Sequence, residues 1–375
     1  MKVGLLKEAI QEFEAGLKEN PKDTSCLLGL ARIALGQQDV PRARVALKKL
    51  IEVEPTHSEA QSHLALLDVR EGNAAAWSTL QSLSELPGAG FFEHYNLALV
   101  LQEKGDLAGA EAALQRADKS QPDNPFVLTE LGMLAIGKQE LPAAVKYLKR
   151  AAELMPNEWV PQQLYARALT LSGVAGQAIS VLNQAIAQHR DVAPLYEDLF
   201  KLCMTTGNLG GAERTAIALR GLKPDDANPI YLHGLVLLTS GKVAEAKPLF
   251  EEALRKAPAA FEPRQALAKV LVLLKDHPGA RKLLEEAIAR APTQAGPAND
   301  LALLYLETKE AVKAERVLRA ALEKNADDPA LSFNLALALV QQNKKTEARP
   351  FVAKALGSKD PDLKEQATRL KKQVG

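Results

Sequence analysis

Only two of the 375 residues are cysteines, Cys26 and Cys203, and they stand far apart in unrelated surroundings. That excludes a disulfide framework and a CxxC redox or zinc site, and both thiols are expected to be small buried hydrophobes. Aromatic residues amount to 5%, and the 25% of charged residues sum to a formal net charge of +1. No basic surface of the kind that nucleic acid requires is present. Apolar runs long enough to cross a membrane, about eighteen residues, are missing. The first thirty residues also lack the apolar core and cleavage site of a secretory signal. The chain as written is expected to be cytoplasmic, or periplasmic or envelope-anchored if an upstream signal has been removed. There is no GxSxG elbow, HExxH pair or Gly-rich phosphate cradle. His57, His63, His94, His189, His233 and His277 never pair at i, i+3 or i+4, the spacing a helical metal site needs. No catalytic residue, metal or cofactor is expected.

What is abundant is alanine and leucine, a composition that favours closely packed helices over strands. The helix breakers supply a period: Pro21 and Pro55 are 34 residues apart, as are Pro122 and Pro156, and Pro224, Pro258 and Pro292 continue at the same interval. Placing these prolines at repeat position 32 makes ten full repeats begin at Thr24, Ser58, Phe91, Pro125, Trp159, Ala193, Ala227, Phe261, Ala295 and Pro329. The second repeat is one residue short, near Glu71-Gly72-Asn73. In this frame position 20 is alanine in every unit (Ala43, Ala76, Ala110, Ala144, Ala178, Ala212, Ala246, Ala280, Ala314, Ala348), with Ala9 in a leading half unit. Position 8 is small in every unit except at Phe200, as required where two helix axes approach closely. Position 24 is mostly a larger apolar residue such as Leu47, Leu114, Leu148, Phe250 or Leu318, so each unit carries two amphipathic helices. Gly105-Asp106, Gly173, Gly207-Asn208 and Gly241 sit where the first helix must stop. Pro41, Pro142 and Pro278 fall in the first turn of the second helix, where a missing N–H costs little. Pro248 and Pro350 lie deeper and predict local kinks. Carboxylate pairs such as Glu251-Glu252 and Glu285-Glu286 fall in second helices, where they read as a solvated outer face.

Small residues at 8, 20 and often 27, proline at 32 and the 34-residue period resemble the tetratricopeptide repeat, over nearly the whole chain. The family's tryptophan at position 4 is absent, and position 11 is tyrosine only at Tyr305. The resemblance implies an all-α fold, a right-handed α-solenoid of helix-turn-helix units. Its parts are a half repeat over 1–23, ten units over 24–360 and a capping helix over 361–375, in which Leu363, Ala367 and Leu370 share one face. The half repeat leads us to expect that the chain is the C-terminal part of a longer repeat protein.

For function, the resemblance implies a concave groove lined by positions 2, 5, 6, 9, 12 and 13 of the first helices, holding a protein or peptide and no nucleic acid or small-molecule cofactor. The family's carboxylate clamp for acidic C-terminal tails does not occur in three consecutive units, and position 6 does not form an asparagine ladder. The third to fifth units nevertheless carry Phe92, Tyr95, Asn96 and Leu99, then Thr129, Glu130 and Met133, then Gln163 and Arg167. Aromatic, methionine and arginine groups beside amides suit an extended or helical peptide. Phe92 and Tyr95 packing against the neighbouring unit is the structural alternative. A non-enzymatic scaffold for a multiprotein assembly, in a bacterial chain, is the expected function. The alternatives are the repeat arm of an envelope, exopolysaccharide-secretion or exosortase-associated lipoprotein, and the substrate-selecting arm of a glycosyltransferase.

Overall fold

The computed structural model describes residues 2–375, with side chains from Leu5 onward, and contains helices and no strand among the described residues. It divides into two compact units, Met1–His189 and Arg190–Gly375. The first holds α1 (Lys2–Glu19), α2 (Thr24–Gly36), α3 (Val40–Val53), α4 (Ser58–Arg70), α5 (Ala75–Glu85), α6 (Phe91–Glu103), α7 (Leu107–Ser120), α8 (Pro125–Gly137), α9 (Leu141–Leu154), α10 (Trp159–Leu171) and α11 (Ala175–Gln188). The second holds α12 (Ala193–Thr205), α13 (Leu209–Leu222), α14 (Ala227–Thr239), α15 (Val243–Lys256), α16 (Phe261–Leu273), α17 (His277–Arg290), α18 (Ala295–Glu307), α19 (Ala311–Lys324), α20 (Pro329–Gln341), α21 (Lys345–Ala355) and α22 (Pro361–Val374). Within each unit consecutive helices form antiparallel hairpins that pack on their neighbours, the architecture of an α-solenoid. No helix of the described residues is long and apolar enough to cross a membrane.

The chain repeats because the same start and stop chemistry repeats. Asp39, Asp106, Asn208 and Asp276 cap the second helices, their side chains accepting from the backbone N–H three residues on at 2.9–3.1 Å. Such a cap satisfies one of the N–H groups that a helix start leaves unbonded, for about 1 kcal/mol. At the stop, position 15 of all ten repeats takes a left-handed conformation, φ from 59° to 93°. Glycine supplies it at Gly72, Gly105, Gly173, Gly207 and Gly241, but Gln38, Gln139, Lys275, Lys309 and Asn343 adopt it with a side chain. The turn is held by the bond that closes the helix end, for example Asp39 N–H to the Ala34 carbonyl at 2.9 Å and Asn208 N–H to the Cys203 carbonyl at 2.8 Å. The short second repeat keeps this turn through Asn73, whose N–H reaches the Asp68 carbonyl at 2.9 Å, and α5 then starts late and without a side-chain cap. Helices α15 and α21 run through Pro248 and Pro350 without interruption; each ring removes the bond that its nitrogen would have donated to the carbonyl four residues back.

Packing within each hairpin rests on size complementarity. The alanines at position 20 are buried throughout. A Cβ added to Gly234 would come within 2.7 Å of the Phe250 ring, and one added to Gly132 would collide with Leu148. Phe200, the exception at position 8, is buried, and its hairpin carries Ala216 at position 24, where the other full repeats hold leucine, phenylalanine or valine. Large and small have exchanged sides, which conserves the volume between α12 and α13. In the second unit α22 lays Ala367, Leu370 and Val374 against α20 and α21, with Leu363 half-buried.

Ion pairs link successive hairpins along the surface, and most contribute little because both partners remain solvated. Glu315 is different: its side chain is 13% exposed and meets Lys344 at 2.9 Å and Arg319 at 2.8 Å, with the Gln342 amide donating at 2.8 Å. Burial opposes its charge, but these donors outweigh it and lower its pKa to about 2.

Two outcomes follow. Phe200→Ala should cost about 3–5 kcal/mol in denaturant unfolding by opening a cavity, and Ala216→Phe added to it should recover most of that loss. A double variant no more stable than the single one would refute the exchange. Because the folded-state pKa of Glu315 lies below its ordinary value near 4.5, the stability it adds is complete above that value and disappears as pH falls through about 2. The stability difference between the native chain and Glu315→Gln, measured by denaturant titration across that range, should shrink accordingly.

Candidate peptide-binding cleft

Three first helices of the first unit, α6, α8 and α10, carry the residues that the sequence nominates. Tyr95 of α6 stacks on Phe91, one turn earlier, with ring centroids 5.3 Å apart and planes 14° apart. Burial, with the Glu130 charge adding and Arg70 opposing, pushes its phenol up to about 12. Glu130 of α8 accepts a hydrogen bond from the Gln102 amide at 3.1 Å. Burial raises its carboxyl above the usual range, and the Gln102 bond offsets only part of that. Facing them is the turn Met155–Glu158 between α9 and α10. Together these parts enclose an open cavity of about 590 Å³, lined by Tyr95, Thr129, Glu130, Phe126, Leu154, Val160 and the turn.

The turn is pinned from position 4, where the family's tryptophan is absent. Gln162 Nε2 donates to the Pro156 carbonyl at 2.7 Å, and Gln61 makes the same bond to Pro55 at 2.6 Å. In the second unit the Tyr196 hydroxyl donates to the Arg190 carbonyl at 3.0 Å, and Arg264 donates to the Pro258 carbonyl. Four repeats therefore replace a bulky apolar residue with a donor aimed at the position-32 carbonyl, which otherwise has no helical partner.

Of the nine nominated residues, the structure brings Tyr95, Thr129 and Glu130 to the cavity. Thr129 does so with its hydroxyl already donating to the Pro125 carbonyl at 2.8 Å, so it offers a methyl face more than a free donor. Phe92 and Asn96 serve a different contact. The Phe92 ring lies 4.8 Å from His63, with the Arg32 guanidinium 5.2 Å above it, and Arg32 is held by Glu59 at 2.7 and 2.8 Å. Asn96 is buried, its amide donating to the Ser62 hydroxyl at 3.0 Å and lying 3.1 Å from His63 Nδ1. Leu99 packs on the core of this region. Met133 and Arg167 are exposed and Gln163 is half-buried, outside the cavity lining.

Sequence reasoning missed Phe126, Leu154 and Val160, which are 57%, 37% and 43% exposed. The signal was available. Phe92, Phe126 and Val160 all occupy position 2, an apolar run in three consecutive units at a place expected to face the groove. Among the described residues no group of three His, Cys, Asp or Glu side chains is arranged to hold a metal ion.

Sequence profiles of the tetratricopeptide repeat match residues 1–67, 95–158, 237–296 and 271–332, together more than half of the chain. The chain belongs to the tetratricopeptide repeat family. The repeat segment is 33% identical over 120 residues to the cellulose synthase operon protein C of Escherichia coli, covering 31% of this chain and 10% of that protein. It is 24% identical over 253 residues to the BBSome complex member BBS4 of Mus musculus, covering 66% of this chain and 48% of that one. This tetratricopeptide protein therefore spans a tenth of one relative and about half of the other. A solved tetratricopeptide repeat protein from Parabacteroides merdae superposes with a TM-score of 0.53 at 17% identity, over 66% of this chain and 98% of that one, a likeness of fold. The tetratricopeptide fold supports protein–protein interaction in general.

Gln162→Leu should cost about 1–3 kcal/mol by leaving the Pro156 carbonyl unbonded. It should also release the cleft wall, seen as faster hydrogen exchange at the Glu158 amide, which bonds the Met155 carbonyl at 3.1 Å. Unchanged exchange there would remove Gln162 from its positioning role.

Proposed function

We propose that the chain is a non-enzymatic scaffold that holds a segment of a partner protein in the cleft between α6, α8 and α10, and so assembles a multiprotein complex. The observation that carries this reading is the trio Phe126, Leu154 and Val160, left exposed around a cavity that Tyr95 and Glu130 also line. Concave sites with apolar walls and a few polar groups are the usual form of a binding site. Covering such side chains yields about 25 cal/mol for each Å² removed from water. Membership in a family that serves protein–protein interaction supports the same conclusion.

A second reading has one observation in its favour. The 120-residue similarity to the cellulose synthase operon protein C supports a repeat arm of a bacterial exopolysaccharide apparatus. Loss of polysaccharide export on deletion of the gene, restored by the native chain, would be the expected result under that reading.

The cleft is tested by placing a photo-crosslinking amino acid at position 126 and, as a control on another exposed apolar site, at position 312; Val312 is 70% exposed. Irradiation in the native cells should yield a distinct partner adduct from position 126 alone. Phe126→Ala with Val160→Ala should weaken that partner's binding by about 10–100-fold, the range expected when two anchor side chains are truncated. The same adducts from both positions would sink the proposal.

A further inference from the structure

We infer that the cleft selects a basic partner segment, one that brings a lysine or arginine to Glu130 while seating an apolar side chain against Phe126, Leu154 and Val160. This rests on the cleft being the binding site and adds the chemistry of what enters it.

Glu130 differs from three carboxylates nearby. Glu59 is paired with Arg32, Glu103 with Arg70 and Glu111 with Lys138, at 2.7–2.8 Å. The hydrogen bond that Glu130 accepts comes from the neutral Gln102 amide, and among the described residues no lysine or arginine pairs with it. Arg70, the cation acting on the adjacent Tyr95, is bound to Glu103. A half-buried carboxylate without a counter-charge is costly, and an incoming cation removes that cost. The elevated carboxyl pKa of Glu130 agrees with this.

Spacing makes the requirement more definite. Phe126 and Glu130 are one turn apart on α8 and so lie on one face, about 5–6 Å from each other. In an extended peptide, side chains two residues apart project from one face at nearly that separation. An apolar residue followed or preceded at the second position by lysine or arginine fits both groups at once. The aliphatic stem of that base would lie along the rings of Tyr95 and Phe126.

The probe is a phage-displayed random twelve-residue peptide library selected on the full chain, followed by titration of synthetic copies of the winners. Peptides with lysine or arginine two places from a large apolar residue should emerge. Glu130→Gln, which keeps the Gln102 contact, should weaken them about tenfold and remove their preference for lysine over glutamine at that place. Circular dichroism of the variant should be unchanged. Selection of acidic or uncharged peptides that compete at the cleft, or a Glu130→Gln variant that binds basic winners as tightly, would overturn the charge assignment and leave the cleft standing. Winners whose binding ignores Phe126→Ala would overturn the cleft itself.

Discussion

The structure depends on two helix backbones in each hairpin approaching closely enough that nothing larger than alanine fits between them at position 20. A buried alanine at that place in every hairpin sets the spacing, and the residue at position 8 must then match the one at position 24. Gly132 lies under Leu148 and Gly234 under Phe250, while Phe200 and Ala216 place the large residue on the opposite helix. Interiors packed near crystal density cannot absorb a mismatch of even a methyl group without moving a neighbour. The constraint is local to each hairpin, which is why it can be copied along a chain with so few variations.

That rigid frame leaves other positions free to vary. Where the family has tryptophan at position 4, Gln61, Gln162, Tyr196 and Arg264 instead donate to the carbonyl that ends the preceding repeat. The substitution exchanges apolar volume for a hydrogen bond to an otherwise unpaired group, and in the case of Gln162 it also fixes one wall of the cleft. A departure from the repeat pattern thus acts on the wall of the proposed cleft. Position 2 is similar: it is not needed by the hairpin, so Phe126 and Val160 remain exposed, beside a carboxylate that among the described residues accepts from the Gln102 amide.

Much of the fold was legible from residue spacing. The first helices open at Thr24, Ser58, Phe91 and onward at the period of the prolines, and the left-handed turns at Gly105, Gly173, Gly207 and Gly241 lie where the glycines stood in the sequence. The same turn at Lys275 and Lys309 could not have been read, because a lysine takes that conformation only when the surrounding hairpin compels it. The candidate site was less legible. Tyr95, Thr129 and Glu130, nominated from their register, line the cavity, whereas Phe92 and Asn96 share that register and are occupied by His63, Arg32 and Ser62 of earlier repeats.

Sequence by itself determined the helices, their period, the small residues that let them meet and the family to which they belong, since all of these follow from contacts between residues at most one repeat apart. Only the tertiary structure decided which side chains of a groove-facing column are covered by a neighbouring repeat and which stay open. That depends on how the turn after α9 folds back toward α6 and α8, and on which charges find partners more than twenty residues away. Glu130 has the same repeat position as Asn96, yet one lines a cavity and the other is enclosed. Spacing along the chain assigns a residue to a face; neighbours in space decide whether that face is free.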